Sequence, residues 1–400
     1  MWILTLLLFV FILSIIILIH ELGHFFWAKK CGVHIYEFSL GMGPVIFSKK
    51  GKDKINYNVR AFPIGGFVQM AGEVYEDDKK IPKKKFMCNK PWHQRLIIIV
   101  AGVVNNFIMA LILLFVYALI WGAPNIKSEV SEVIKDYPAY EAGLKAGDTI
   151  LEINGRNAKS WDSANIILVL KNDKDYSTFK VKRSDGKIEE INITPKKEVD
   201  PETEQERNVY GFAVNQDVEK GFLPSLKFAF AKFGSIVHSM AITITSLFTG
   251  DLSVKMLSGP VGIYQVVDQS AQYGLANIIY LIAFLSINVG FINILPFPAF
   301  DGGRALFMVI EKIKGKPFYD KYRDMTANKD LIIGNIANDR MFFVIDNFFV
   351  GNITDAALVN SFTATSDIHS TIFSIAAYTV VLCFTLFKTG SISKSIFNAH

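Results

Sequence analysis

Apolar runs long enough to cross a bilayer alternate with charged stretches along this 400-residue chain. A membrane-spanning helix needs about 20 mainly apolar residues, and three segments meet that requirement: 1–27, 96–121 and 277–310. The mean hydropathy is positive, at +0.30, and 51% of the residues are hydrophobic. A soluble globular protein rarely has so many long apolar runs. The pattern therefore predicts a polytopic α-helical membrane protein with three to four spans and a soluble portion.

Two further segments decide the number of spans. The stretch 222–249 is apolar, but Lys227, Lys232 and His238 interrupt it. We expect an amphipathic helix at the membrane surface, and a true span is the alternative. The stretch 370–387 is apolar with several serines and threonines, and would form a last span of about the minimum length.

The N-terminal run is predicted to be a retained helix. No Lys or Arg precedes it, whereas Lys29 and Lys30 follow it, which is the reverse of a secretory signal peptide. The next segment, 28–95, is rich in lysine and is therefore predicted to be cytoplasmic, with the N-terminus outside. The three cysteines form no paired motif, so neither a disulfide framework nor a cysteine-ligated zinc is expected.

Between the spans the pattern changes to that of β-strands. Residues 55–60 alternate apolar and polar, the Pro-x-Gly-Gly segment 63–66 interrupts them, and 67–70 would form a returning strand. The loop is therefore predicted to carry a β-hairpin. Residues 126–200 combine short β-like runs with mixed charge and turn dipeptides, which is typical of a soluble α+β domain. The highly charged stretch 196–208 is predicted to be a linker.

The first span contains the motif His20-Glu21-x-x-His24. On a helix the two histidines lie one turn apart on the same face, where both imidazoles can bind one zinc ion. Ionisable groups inside a bilayer cost about 2.5–3.5 kcal/mol each even on a lenient scale. Three of them so close together in an apolar helix therefore indicate a function. The alternative is a helix whose His and Glu residues satisfy one another in a polar bundle interior.

A hydrolytic zinc site uses three protein ligands and leaves one position for water, so a third ligand must come from another segment. If 126–220 is outside, the first span and the apolar span at 277–300 both run from outside to inside. Asp301 then lies at a depth similar to that of His20 and His24, near the cytoplasmic face. It stands in Pro-x-Pro-x-x-Asp-Gly-Gly, where the prolines break the helix and the glycines allow close backbone approach. A helix-capping role is the alternative for Asp301.

Peptide hydrolysis is the chemistry that these residue types support. Zinc acidifies its bound water and polarises a scissile carbonyl. Glu21 would accept the proton and pass it to the leaving amine. Asn293, about two turns before Asp301, could donate a hydrogen bond to the substrate or to the developing oxyanion. A hydrogen bond within the helix bundle is the alternative for Asn293.

Two motifs resemble those of the site-2 protease family of intramembrane zinc metalloproteases, in particular its bacterial RseP-like branch. One is His-Glu-x-x-His at 20–24, and the other is Asn-x-x-Pro-x-Pro-x-x-Asp-Gly-Gly at 293–303. Val103 stands where the family usually has proline. Shorter segments that are similar to the family occur at 62–68, 101–107 and 258–263. The resemblance covers about residues 1–323, and the C-terminal region 325–400 diverges from it.

The resemblance implies that His20, His24 and Asp301 are zinc ligands and that Glu21 is the catalytic acid/base. Such an enzyme is an intramembrane endopeptidase, cutting within or near the transmembrane segments of single-span membrane proteins in regulated intramembrane proteolysis. Implied substrates are anti-sigma factors or remnant signal peptides, trimmed beforehand by a site-1 protease. The implied location is the bacterial inner membrane.

The resemblance also implies the roles of the two β-rich segments. The hairpin within 28–95 would be re-entrant, with Gly65 and Gly66 at a strand edge that binds the unwound substrate. Residues 126–200 resemble the PDZ domain of this branch, an extracytoplasmic gate against bulky substrates. No nucleic-acid partner is expected.

Two other functions remain open at this point. One is a catalytically inactive PDZ-containing membrane scaffold or receptor with a structural metal site. Intact Glu21 argues against it, because a structural zinc site needs no base. The other is a metal transporter, which is disfavoured because the chain lacks paired broken helices in repeated halves.

Overall fold

The computed structural model describes residues 2–73, 80–170, 175–199, 206–252, 260–296 and 300–315. The predicted C-terminal region 325–400, with its candidate span 370–387, lies outside the described residues. The described chain forms two compact units: one contains the residues up to Ala110 and those from Leu285 onward, and the other contains Leu111–Phe284.

The elements of the described chain alternate long helices with short strands. The helices are α1 (Trp2–Lys30), α2 (Trp92–Trp121), α3 (Pro138–Glu141), α4 (Trp161–Val169), α5 (Phe222–Thr249), α6 (Pro260–Gln272), α7 (Leu275–Ile294) and α8 (Asp301–Lys314). The strands are β1 (Ile35–Lys50), β2 (Asn56–Met70), β3 (Ala123–Pro124), β4 (Val130–Val133), β5 (Thr149–Ile153), β6 (Arg156–Asn157), β7 (Ser177–Lys182), β8 (Ile188–Ile193), β9 (Lys196–Val199), β10 (Glu206–Val209), β11 (Phe212–Val214) and β12 (Val218–Glu219).

Four helices in the described part of the chain are long and apolar enough to cross a membrane: α1, α2, α5 and α7. This confirms the predicted class, a polytopic α-helical membrane protein. Helix α5 is among the four, so it meets the length and composition that the alternative of a true span requires.

In the first unit, β1 and β2 are long, bent strands that form more than a simple hairpin. Phe38 pairs with Val68 and also with Tyr57, and Tyr57 pairs in turn with Lys49. Four segments therefore lie side by side, in the order 66–70, 35–40, 56–59 and 45–50. Strand β1 bends at Gly41 and Gly43, whose φ angles are +87° and +84°. Residues other than glycine rarely adopt such values.

The two outer segments of this sheet lie in different surroundings. Segment 66–70 lies on the inner side, because Val68 and Met70 belong to a buried core that joins the sheet to helices α1, α2 and α8. The buried members of that core are Ala28, Val33, Ile35, Ile55, Val68, Met70, Met87, Ile98, Ile99 and Met308. Segment 45–50 is exposed throughout. The sheet thus has one inner edge and one outer edge.

The predicted element 277–310 is two helices and not one. Helix α7 ends at Ile294, and α8 begins at Asp301. Pro296 follows the end of α7, and proline cannot continue the helical hydrogen-bond ladder. Gly302 lies against the carbonyl group of Ile294, so closely that a β-carbon there would overlap it. The break places Asp301 in the first turn of a new helix.

The second unit contains an α+β domain. Its main sheet has the strand order β6-β5-β7-β8, and all its pairs are antiparallel. The domain core is formed by Val130, Ala139, Leu144, Ile150, Ile153, Ala158, Ala164, Ile167, Phe179, Val181, Ile193 and Tyr210.

The predicted boundary at residue 200 cuts this domain too early. Strand β11 pairs with β4 through Phe212 and Val133, and Tyr210 lies in the domain core. The predicted linker 196–208 contains β9 and β10, which pair with each other. These strands are short and rich in charged residues, so they lack the apolar alternation that would have identified them.

Two of the polar residues that interrupt the apolar run of α5 pack against α4. Lys232 is only 4% exposed, and its Nζ donates to both carboxylate oxygens of Asp162 at 2.7 and 2.8 Å. His238 Nδ1 lies 2.8 Å from the hydroxyl of Ser163. These two interruptions therefore serve packing inside the unit, and they are not evidence that α5 lies at the membrane surface.

Candidate functional site

Three side-chain atoms from two separate parts of the chain converge in the first unit. His20 Nε2 lies 3.1 Å from Asp301 Oδ2, His24 Nε2 lies 3.3 Å from the same oxygen, and the two Nε2 atoms are 3.2 Å apart. Both histidines are buried, and the Asp301 side chain is 14% exposed. The predicted convergence of His20, His24 and Asp301 is thus present in the structure.

The triangle has the dimensions of a zinc site. Zinc binds imidazole nitrogen and carboxylate oxygen at about 2.0–2.2 Å, so two tetrahedral ligand atoms lie about 3.3 Å apart. The three observed separations, 3.1, 3.2 and 3.3 Å, match that spacing. Three protein ligands at these positions would also leave a fourth position for water, as hydrolytic sites require.

The second nitrogen of each imidazole is also held. His24 Nδ1 lies 2.8 Å from the carbonyl oxygen of Ile98, to which it donates. His20 Nδ1 lies 3.3 Å from the amide group of Asn106, which is fully buried. The Nδ1–H of His24 donates to a carbonyl, which leaves its Nε2 available as a metal ligand. At His20 the atom facing Nδ1 is the Asn106 amide nitrogen, a donor, so Nε2 is available to a metal only with the Asn106 amide turned to bring its oxygen to the Nδ1–H.

Helix α2 forms a wall of this site. A β-carbon at Gly102 would lie 2.6 Å from His24 Nε2 and 2.7 Å from His20 Nε2. The absence of a side chain at Gly102 is therefore what leaves room beside the two Nε2 atoms. Asn106 follows Gly102 one turn later on the same helix face.

Sequence reasoning assigned neither Gly102 nor Asn106 to the site. Only the resemblance of 101–107 to a family segment pointed toward this part of α2. The sequence did contain a usable signal. Gly102 and Asn106 are four residues apart, as are His20 and His24, and residues at this spacing lie on one helix face. The two pairs can therefore lie against each other where the helices pack.

Glu21 lies beside the histidines and near the inner edge of the sheet. One ligand atom each from His20, Glu21 and His24 lie within 4.8 Å of one another. A β-carbon at Gly66 would lie 3.5 Å from Glu21 Cγ, so the inner segment 66–70 begins next to the predicted acid/base.

Among the described residues, no hydrogen bond joins Gly65 or the Asn293 side chain to the triad. A β-carbon at Gly65 would lie 2.8 Å from Met42 Cε, so this glycine faces the sheet. Asn293, in the last turn of α7, is fully buried, and neither of its amide atoms has a hydrogen-bond partner among the described residues. A buried amide without a partner costs about 1–3 kcal/mol.

Two ion pairs hold α8 in place and, with it, Asp301. Arg304 Nη1 donates to Glu73 Oε1 at 2.6 Å, just beyond the inner segment of the sheet. Arg95 Nη1 donates to Glu311 Oε2 at 3.0 Å, and both of these side chains are 11% exposed. The positive end of the helix dipole also favours a carboxylate in the first turn of α8.

The chain is similar to known zinc metalloproteases. Peptidase family M50 matches residues 8–334. The chain is 31% identical over 394 residues to the Regulator of sigma-W protease RasP of Bacillus subtilis, covering 79% of this chain and 92% of that protein. It is 31% identical to the Zinc metalloprotease RasP of Bacillus licheniformis over 393 residues (78% and 91%). It is 31% identical to the protein of the same name in Shouchella clausii over 390 residues (78% and 91%).

Proposed function

The chain belongs to peptidase family M50, and from that membership we propose that His20, His24 and Asp301 hold its zinc ion while Glu21 is its acid/base. The protein is an intramembrane zinc metalloprotease of the site-2 type. The observation that carries the residue assignment is the triangle of two Nε2 atoms and one carboxylate oxygen with sides of 3.1–3.3 Å.

The residues around the triangle have separate tasks in hydrolysis. When bound, zinc acidifies a coordinated water and polarises the scissile carbonyl. Glu21 takes the proton of the attacking water and delivers it to the leaving amine. Ile98 and Asn106 hold the imidazoles in orientation. The Asn293 amide donates to the substrate carbonyl oxygen as negative charge develops there.

The metal requirement tests this assignment directly. With purified protein in detergent and a model single-span substrate, a chelator is expected to reduce cleavage to background, and added zinc to restore it. Asp301→Ala should lose bound zinc by elemental analysis, since two imidazoles alone leave the site incomplete. Asp53→Ala removes a carboxylate elsewhere in the same unit and should keep its zinc. Folded parent protein devoid of metal under every loading condition would contradict the proposal.

The inner edge of the sheet supports a mode of substrate binding. Segment 66–70 pairs with 35–40 on one side, and its other side has no strand partner among the described residues. A peptide bond in a helix is shielded by its own hydrogen bonds, so the substrate must unwind before it is cut. The unwound substrate then adds as a strand to this edge, with Gly66, and Gly65 before it, bringing its backbone near Glu21.

Strand addition predicts a period-two pattern in the substrate. Successive backbone N–H groups of an added strand point alternately toward and away from the edge. Backbone esters, which remove one N–H at a time from the segment flanking the cut, are expected to lower cleavage at every second position. The esters at intervening positions serve as controls of the same chemistry. Losses that do not alternate would argue for a different binding mode.

The proposal extends to the rest of the molecule. The sheet domain of the second unit is a PDZ domain that lies outside the cytoplasm and restricts access of bulky substrates, and the zinc site lies near the cytoplasmic face. The lysine-rich loop 28–95 supports this orientation.

Substrates are single-span proteins of the bacterial inner membrane, including anti-sigma factors, after trimming by a site-1 protease. The name of the Bacillus subtilis relative, a regulator of sigma-W, supports this class.

A further inference from the structure

The outer edge of the sheet in the first unit has an unusual exposed surface. Val45, Ile46 and Phe47 follow one another in β1 and are 45%, 70% and 59% exposed. Because successive strand residues point to opposite faces, both faces of this segment are apolar and uncovered by the described residues. Val59, which pairs with Phe47, is also exposed at 44%. A strand that faced water would not present apolar side chains on both sides.

The turn beyond this segment is fixed at the end of a membrane-spanning helix. Lys29, in the last turn of α1, donates from its Nζ to Asp53 Oδ2 at 2.8 Å, and the Tyr57 hydroxyl donates to the same oxygen at 2.9 Å. The Lys29 hydrogen bond, followed by that of Tyr57, lowers the pKa of Asp53, so the pair persists at neutral pH. The turn therefore lies at the depth of the lipid headgroups where α1 leaves the bilayer.

This turn is strongly basic. Lysine occupies positions 49, 50, 52 and 54, and all four residues are exposed. Asp53 is the one acidic residue between positions 45 and 60, and Lys29 already neutralises it. The segment thus presents four positive charges next to three exposed apolar side chains, at one depth.

We propose that residues 45–54, termed here the basic tip, bind the headgroups of anionic phospholipids, with Val45, Ile46 and Phe47 inserted at the boundary with the acyl chains. Apolar insertion combined with lysines at the surface is how peripheral segments bind anionic membranes. The tip holds the outer edge of the sheet at the membrane, which steadies the inner edge beside Glu21. The proposal does not depend on the zinc chemistry.

Hydrogen–deuterium exchange of the full-length protein in nanodiscs tests this. The amides of 44–60 are expected to exchange roughly threefold or more slowly in phosphatidylcholine mixed with phosphatidylglycerol than in phosphatidylcholine alone. The protection should fall at high salt, because salt screens exposed charges. Changing the lysines at 49, 50, 52 and 54 to glutamine should abolish it.

A matched variant separates this tip from a general charge effect. Changing Lys80, Lys83, Lys84 and Lys85 to glutamine removes the same charge from exposed positions of the same loop, and should leave the protection intact. Equal exchange in the two lipid mixtures would overturn the proposal. An equal loss of protection in the two lysine variants would also overturn it. So would protection of 44–60 by soluble glycerol phosphate, in phosphatidylcholine alone, that equals the protection by phosphatidylglycerol.

Discussion

Glu21→Gln is expected to bind zinc as tightly as the parent protein and to lose cleavage by about 10³-fold or more. Glutamine has nearly the same shape as glutamate, so the neighbouring His20 and His24 keep their positions. It cannot accept a proton, however, and hydrolysis needs a group that takes one from water and returns one to the amine. Zinc content and the cleavage rate of a single-span substrate, measured on the same preparation, check both parts.

A matched variant and the alternative outcomes make this test decisive. Glu141→Gln changes an exposed carboxylate on α3, in the second unit, and should cut at the parental rate. Normal cleavage by Glu21→Gln would show that another group carries the proton. Loss of zinc together with activity would instead make Glu21 a ligand. A parent protein that binds zinc and substrate but never cuts would favour the scaffold function.

The convergence of the three candidate ligands could be predicted from the sequence because each lies in a local pattern. His20 and His24 are one helical turn apart, and Asp301 follows prolines that must end a helix. Local spacing therefore singled out the three groups, and the expected topology of the spans predicted that they share one depth. The distances of 3.1–3.3 Å needed the structure, because they depend on how α1 and α8 pack.

Features that depend on long-range packing could not be predicted. The order of the four segments of the first sheet follows from a bend at Gly41 and Gly43, and nothing local specifies that Phe38 meets both Val68 and Tyr57. The packing role of Lys232 also could not be predicted from local sequence. In the sequence it interrupts an apolar run, and only the position of Asp162, 70 residues away, explains why it is buried.

Gly102→Ala is expected to weaken zinc binding by about 100-fold or more, since outer partners of metal ligands alone contribute 10–100-fold. The added β-carbon would lie 2.6 and 2.7 Å from the two Nε2 atoms, where neither it nor the rings can move freely. Helices α1 and α2 cross closely here, because Gly23 packs against the backbone of Ala101. The clash therefore falls on the ligand atoms, and cleavage should fall with zinc occupancy.

The helix propensity of alanine helps to distinguish a local clash at the zinc site from misfolding of α2. Alanine stabilises a helix interior by about 1 kcal/mol relative to glycine, so the intrinsic effect of the substitution on α2 is favourable. Gly234→Ala, on α5, makes the same change where nothing lies within 4 Å, and should keep full zinc affinity. Competition titration with a zinc chelator, alongside thermal unfolding of the apo forms, compares the two variants. If Gly102→Ala bound zinc as tightly as Gly234→Ala, α2 would not adjoin the ion, and the packing that brings Gly102 to both imidazoles would be wrong.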